Sequence, residues 1–140
     1  MIQLIVGEKG KGKTKVLLDK VAETAQNAKG NVVFVDKDMS HIYEIKNTVR
    51  LVNISEYGIT NGDEFLGFLA GLIAADHDLE DLFIDRFLRV SFHPTAEDSV
   101  SVLRKLDTLS TKFDVRVTVS LSCGKDEVPE DLQDKIIVAL

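Results

Sequence analysis

A single cysteine, Cys123, leaves this 140-residue chain without an internal disulfide or a cysteine-based zinc site, and it fits a reducing compartment. It reads as a plain structural or surface thiol, since no base partner for a catalytic one is evident. His41, His77 and His93 are too scattered along the chain to read as a metal cluster. Long apolar runs are missing too: the longest, Phe65 to Ala75, has 11 residues, where a membrane span takes about 20. No basic segment leading into a signal-type apolar core opens the chain. These absences predict a cytoplasmic protein with no membrane span. Repeats, low-complexity tracts and linkers are also lacking, so residues 1–140 read as one domain. A hydrophobic content of 44% and a charged content of 29% are those of an ordinary globular protein.

Positive charge is scarce beyond the first third of the chain. Residues 1–50 carry 9 Lys/Arg against 6 Asp/Glu, whereas residues 51–140 carry 8 against 17. A local anion site on an acidic protein fits this split, and an extended nucleic-acid surface does not. The acidic runs Asp76 to Asp81 and Asp126 to Asp134 are expected to be solvated loops.

What the basic segment does contain is Gly7-Glu8-Lys9-Gly10-Lys11-Gly12-Lys13-Thr14, directly after the apolar run Met1 to Val6. The spacing G-x-x-x-x-G-K-[ST] between a strand and a helix is that of a phosphate-binding loop. Glycines let several backbone N–H groups converge on phosphate oxygens, and the helix that follows points its positive end at the same place. Lys13 is expected to reach the β- and γ-phosphates, and the Thr14 hydroxyl to ligate Mg²⁺. Gly7 through Thr14, with Lys15 in the first helical turn, are the candidate nucleotide-binding residues.

Strands are predicted at residues 2–6, 31–36, 49–54, 82–85, 115–120 and 135–140, with a short helical stretch around Ser40 to Ile45. Longer helices are predicted from Lys13 to about Ala28, from Thr60 or Asn61 to about Ala75, and from Pro94 or Thr95 to about Phe113. In the second of these, Gly67, Ala70, Gly71 and Ala74 are small enough to pack closely on a neighbour. Val100, Leu103, Leu106, Leu109 and Phe113 mark the inner face of the third. Apolar strands alternating with helices give an α/β fold: a mostly parallel sheet covered on both faces.

The loop resembles that of the P-loop NTPases through Gly7, Gly12, Lys13 and Thr14. Partitioning-type members place a lysine where Glu8 stands, which disfavours that subgroup. Leu82-Phe83-Ile84-Asp85 resembles a Walker B strand, which implies that Asp85 holds Mg²⁺ with Thr14. At least one strand separates the two motifs, an order similar to the RecA-like branch. The resemblance implies a three-layer fold with the P-loop strand first and an additional strand, 115–120, between the P-loop and Walker B strands. GTPases would show N-K-x-D, which is absent. The chain is also similar to short bacterial P-loop ATPases.

The resemblance further implies roles at the strand ends. Arg86 stands where a glutamate usually follows the Walker B aspartate, so a water-orienting carboxylate must come from elsewhere. Asp38, past the end of strand 2, resembles the acidic residue of recombinase-type ATPases, and Asp36 is the alternative. Lys13, Asp38 and Asp85 are therefore the candidate catalytic residues. Ser120 and Ser122 read as γ-phosphate sensors or as ordinary strand ends, and Arg86 and Arg89 as phosphate clamps or solvated side chains. Taken together, these features predict an ATP/ADP-binding protein and slow Mg²⁺-dependent ATPase that needs self-association or a protein partner. The alternatives are a non-catalytic nucleotide-responsive module and a small-molecule kinase; no arginine-rich lid follows Asp85 to favour the latter.

Overall fold

The computed structural model describes residues 1–140. Six strands, β1 (Ile2–Gly7), β2 (Asn31–Asp36), β3 (Val49–Asn53), β4 (Leu79–Ile84), β5 (Arg116–Ser122) and β6 (Ile136–Ala139), form one sheet in the order β3-β2-β4-β5-β1-β6. Every neighbouring pair is parallel. The sequence accounts for part of this: β1, β2 and the Leu82–Ile84 end of β4 are nearly continuous apolar runs, as parallel strands buried on both faces are, whereas β5 alternates Val117, Val119 and Leu121 with Thr118 and Ser120 and is buried all the same. β5 lies between β1 and β4, the place expected for the additional strand.

Period-two alternation sends side chains to two cores. Leu4, Val6, Val33, Val35, Leu82 and Ile84 join the larger cluster, which includes residues of the helices α2 (Gly62–Ala75), α3 (Phe87–Val90) and α4 (Ala96–Lys112). Ile5, Val32, Phe34 and Phe83 face the other way, onto Leu17 and Val21 of α1 (Lys13–Asn27). With all strands parallel, their carboxyl ends share one edge. The segments leaving that edge bring residues 7–14, 36–41, 85–89 and 120–124 together, where open α/β sheets bind their ligands. No helix is long and apolar enough to cross a membrane.

Several expectations change. Gly67 and Gly71 are exposed, and a Cβ added at either would meet nothing within 4 Å, so the close packing predicted there does not occur. Phe65, Leu69 and Ile73, spaced four apart, are the buried stripe of α2, and a four-residue spacing rotates the small residues outward. Phe113 is not core: it is the residue that closes α4, 53% exposed, with the Lys112 ammonium over its ring. Val102 takes the inner place beside Leu103 and Leu106. The one-turn helix α3 lies in a stretch for which no element was predicted.

The largest change concerns β4, which starts at Leu79 rather than at 82 and so draws Asp81 out of the expected solvated loop into the sheet. Pairing with Val32 and Arg116 on either side outweighs the residue's polarity. Asp81 ends 4% exposed, with Oδ1 lacking a hydrogen-bond partner and the Arg116 Nε 3.7 Å away.

Burial pushes the Asp81 carboxyl above its ordinary value, against the pull of Arg116. A raised carboxyl favours the folded state while protonated, and that contribution is lost as pH rises through its folded value. Asp81→Asn should therefore stabilise the protein at pH 7 by on the order of 1 kcal/mol. The gain should shrink towards pH 4, which thermal unfolding at several pH values measures. A difference independent of pH would show that Asp81 titrates alike in the folded and unfolded chains.

Candidate functional site

The loop between β1 and α1 depends on two glycine conformations. Gly10 (φ 86°) and Gly12 (φ 94°) are left-handed, a region that costs an ordinary residue about 1–2 kcal/mol. A Cβ at either would meet nothing within 4 Å, so the requirement is one of backbone shape rather than space. Gly12 is also the N-cap of α1, where no side chain caps the helix. The starts of α2 and α4 are treated otherwise: Asn61 accepts from the Glu64 N–H at 2.9 Å, and Thr95 from the Asp98 N–H at 3.2 Å. Without a side-chain cap, the first N–H groups of α1 point into the loop with the positive end of the helix behind them.

Lys13 is 8% exposed and donates from Nζ to the Glu8 carbonyl at 3.2 Å. Burial lowers the pKa of its ammonium, and Asp85, Cys123 and Glu8 partly restore it. A cavity of about 610 Å³ opens over the loop, lined by Lys9, Gly10, Gly12, Lys13 and Thr14 and, across from them, by Asp85, Arg86, Arg89, Ser120 and Ser122. That volume lies within the range of small-molecule sites. Among the candidate loop residues, Glu8, Lys11 and Lys15 are exposed and outside this lining, and Lys15 pairs with Asp19 at the surface. Gly7 closes the loop from beneath, where a Cβ would press on Leu140 Cβ at 3.0 Å.

Thr14 and Asp85 meet directly. The Thr14 hydroxyl donates to Asp85 Oδ2 at 3.0 Å, with Oδ1 at 3.3 Å. Asp85 is wholly buried just past the end of β4 and is held from two further sides. Its N–H donates to the Val35 carbonyl at 3.0 Å, and the Ser120 hydroxyl donates to Oδ1 at 2.5 Å. Ser120 Oγ in turn accepts from the Arg86 N–H at 2.8 Å. Ser120 thus ties β5 to the strand end that carries the carboxylate, while Ser122 is exposed at the cavity wall.

Arg86 is not a free solvated side chain, one of the two readings its sequence position allowed. It is left-handed (φ 52°) and reaches across to β2, where Nε donates to Asp36 Oδ1 at 3.1 Å and Nη2 to Oδ2 at 2.7 Å. Nη2 also donates to Asp38 Oδ1 at 3.2 Å, and Nε lies 3.9 Å from Asp85 Oδ2. Asp36 is fully buried; its burial raises the carboxyl's pKa and the Arg86 hydrogen bond pulls it back. Asp38 is half-exposed and stands at about 2, held down first by hydrogen bonds from Ser40 and further by Arg86. Its side chain does not line the cavity and connects to it through Arg86. The sequence signal for this latch was a basic residue where an acidic one was expected, but its partner on another strand could not be read.

The histidines do not cluster with one another, but one of them joins the carboxylates. A ligating atom of His41 lies within 4.8 Å of oxygens from both Asp36 and Asp85, so the scattered reading fails for His41. The chain leaving β2 turns back over the strand ends, a fold-back that spacing alone does not reveal. His77 is exposed, and His93 Nδ1 sits 3.0 Å from Ser91 Oγ. Arg89 is exposed at the cavity rim. Cys123 is buried, which pushes its thiol up to about 11, as befits an unreactive structural thiol.

The strand order and the all-parallel six-stranded sheet define an α/β fold of the RecA-like type. The structure is similar to that of the flagellar accessory protein FlaH from Methanocaldococcus jannaschii, with a TM-score of 0.57 and 14% sequence identity over 95% of this chain. The chain spans 65% of the length of FlaH. No family model and no curated protein matches the sequence.

Truncating the latch should be costly, because Arg86→Ala leaves the Asp36 charge buried without its partner. Loss of one partner of a fully buried pair costs about 3–5 kcal/mol. With the Arg86 side chain 29% exposed, roughly 2–3 kcal/mol is expected in urea unfolding. Adding Asp36→Asn should recover part of the loss. A double variant as unstable as the sum of the single ones would exclude the coupling.

Proposed function

We propose that the chain binds ATP or ADP with Mg²⁺ in the cavity over the Gly7–Thr14 loop and hydrolyses ATP slowly. The observation that carries this reading is the meeting of Thr14 and Asp85 beside Lys13 at the uncapped start of α1. Phosphates would take the N–H groups of Gly10 to Thr14, with Lys13 turning from the Glu8 carbonyl to a phosphate oxygen. A hydroxyl and a carboxylate are hard oxygen donors suited to Mg²⁺, so Thr14 and Asp85 are the residues to hold it. Bound there, the ion would neutralise charge on the β- and γ-phosphate oxygens. Asp38, at about 2, is too weak a base to take a proton at neutral pH, so its role is to orient the attacking water. The setting is cytoplasmic, and self-association or a protein partner is what raises turnover.

A second reading is favoured by one specific observation: Arg86 engages both candidate carboxylates, Asp36 and Asp38. If that clasp persists with nucleotide bound, the protein is a nucleotide-responsive binding module rather than an enzyme.

Replacing Lys13 by Ala should remove a charge-assisted phosphate contact worth about 1.5–3 kcal/mol, or roughly 10- to 150-fold in ATP affinity by calorimetry. Equal affinities would refute the assignment. Asp38→Asn should lower phosphate release on the order of 100-fold with ATP affinity little changed. Comparable turnover in the two proteins would remove Asp38 from the reaction, and no turnover in either would favour the binding module.

A further inference from the structure

We propose that Asp36, His41 and Asp85 form a binding site for a transition-metal dication of the zinc type, a function beyond the nucleotide reading that shares Asp85 with the Mg²⁺ site of that reading. The backbone brings the three together. Val35 of β2 pairs with Ile84 of β4, so the residues that follow, Asp36 and Asp85, emerge side by side at the carboxyl edge. Residues 37–41 then fold back over that edge, helped by the Ser40 N–H donating to Asp38 Oδ1 at 3.0 Å. One ligating atom from each of the three residues lies within 4.8 Å of the other two. In a tetrahedral zinc site with bonds of 2.0–2.1 Å, ligand atoms stand roughly 3.3 Å apart. Closure therefore takes a shift of at most about 1.5 Å between any two of them, part of which the half-buried His41 side chain on its loop can supply.

A second observation concerns how His41 is held from outside the three ligands. Its Nδ1 is hydrogen-bonded to the Glu44 carboxylate, which leaves Nε2 as the atom free to bind. Metal-binding imidazoles are held in this way, with the outer carboxylate fixing the tautomer and raising the basicity of the ligating nitrogen. The imidazole also decides the class of ion: nitrogen beside carboxylate oxygen suits zinc and its first-row neighbours, whereas Mg²⁺ takes oxygen.

Charge points the same way. Asp36, Asp38 and Asp85 crowd around one guanidinium, that of Arg86, and Glu44 adds a fourth carboxylate behind His41. Arg86 covers both oxygens of Asp36. An arriving dication takes that place, and Arg86, which already lines the cavity over the phosphate loop, turns towards it. Two buried carboxylates thus exchange a single positive charge for a double one.

The test uses Co²⁺ alone, without nucleotide, titrated into the full chain by calorimetry and followed by the visible absorption of the ion. One Co²⁺ per chain is expected, with tetrahedral bands that Zn²⁺ abolishes. His41→Ala, a loop substitution, should weaken binding on the order of 100-fold, and Glu44→Gln about 10-fold. His77→Ala, on an exposed residue remote from the site, should leave it unchanged. Equal affinity in the wild type and His41→Ala, or no stoichiometric binding at all, overturns the site. Since no nucleotide is present, neither result bears on ATP binding, and failure of the ATP titration would leave the cobalt result standing.

Discussion

Two carboxylates held wholly out of water at the ends of neighbouring strands are the constraint around which the carboxyl edge is built. Asp36 and Asp85 are both 0% exposed, and an ionised carboxylate in that setting is tolerable only when paired or densely hydrogen-bonded. The two are satisfied by different means. Asp85 is held by hydroxyls, those of Thr14 and Ser120, whereas Asp36 takes the fork of Arg86 and the Lys37 N–H. The four partners come from four segments, so the requirement to pair two charges fixes β2, the start of α1, the turn after β4 and the end of β5 relative to one another. Stability and site geometry are here the same set of contacts.

The backbone strain at this edge follows from that requirement. Arg86 adopts φ 52°, a conformation disfavoured for a long side chain. Strain of this kind persists only where the surroundings over-determine it. Here the N–H is fixed by Ser120 and the guanidinium by Asp36, and the left-handed turn satisfies both at once. Gly10 and Gly12 are left-handed too, but there glycine removes the cost, and the result is a concave run of donors rather than a clamp. Two solutions to the same backbone problem face each other across one cavity, one presenting N–H groups and the other a paired guanidinium.

How much of this was legible in the sequence depended on range. The Gly7–Thr14 spacing is local chemistry and could be read outright, and the near-continuous apolar strands announced a parallel sheet. The place of β5 between β1 and β4 came from the resemblance to the RecA-like branch rather than from the residues themselves. What escaped were contacts made across the fold by residues whose partners lie far along the chain. Arg86 and Asp36 are 50 positions apart, and nothing near either one signals the other. Asp81 escaped for a different reason: it sits in an acidic run that looks solvated, and only the length of β4, set by pairing on both sides, draws it inward. Gly67 and Gly71 failed in the opposite sense, because small residues mark a packing face only when a neighbour lies over it, and here that space is open.

The competition at Arg86 decides what a ligand can do to this protein. Its guanidinium is shared among Asp36, Asp38 and, more distantly, Asp85, while also bordering the cavity over the Gly7–Thr14 loop. A guanidinium prefers two-point contact with a planar or tetrahedral oxyanion, and a phosphate offers the same geometry as Asp36 with more charge. An anion in the cavity therefore pulls against Asp36, and release leaves a buried carboxylate that must gain a proton or another cation. Burial already raises the Asp36 pKa, so protonation is the less costly route where no other cation is at hand. Were an anion bound there, movement of one side chain would couple the charge state of β2 to occupancy of the loop after β1. Because Asp38 hangs on the same guanidinium, the segment from Asp36 to Glu44, with Tyr43 almost fully exposed, is the part of the surface that such a change reaches first.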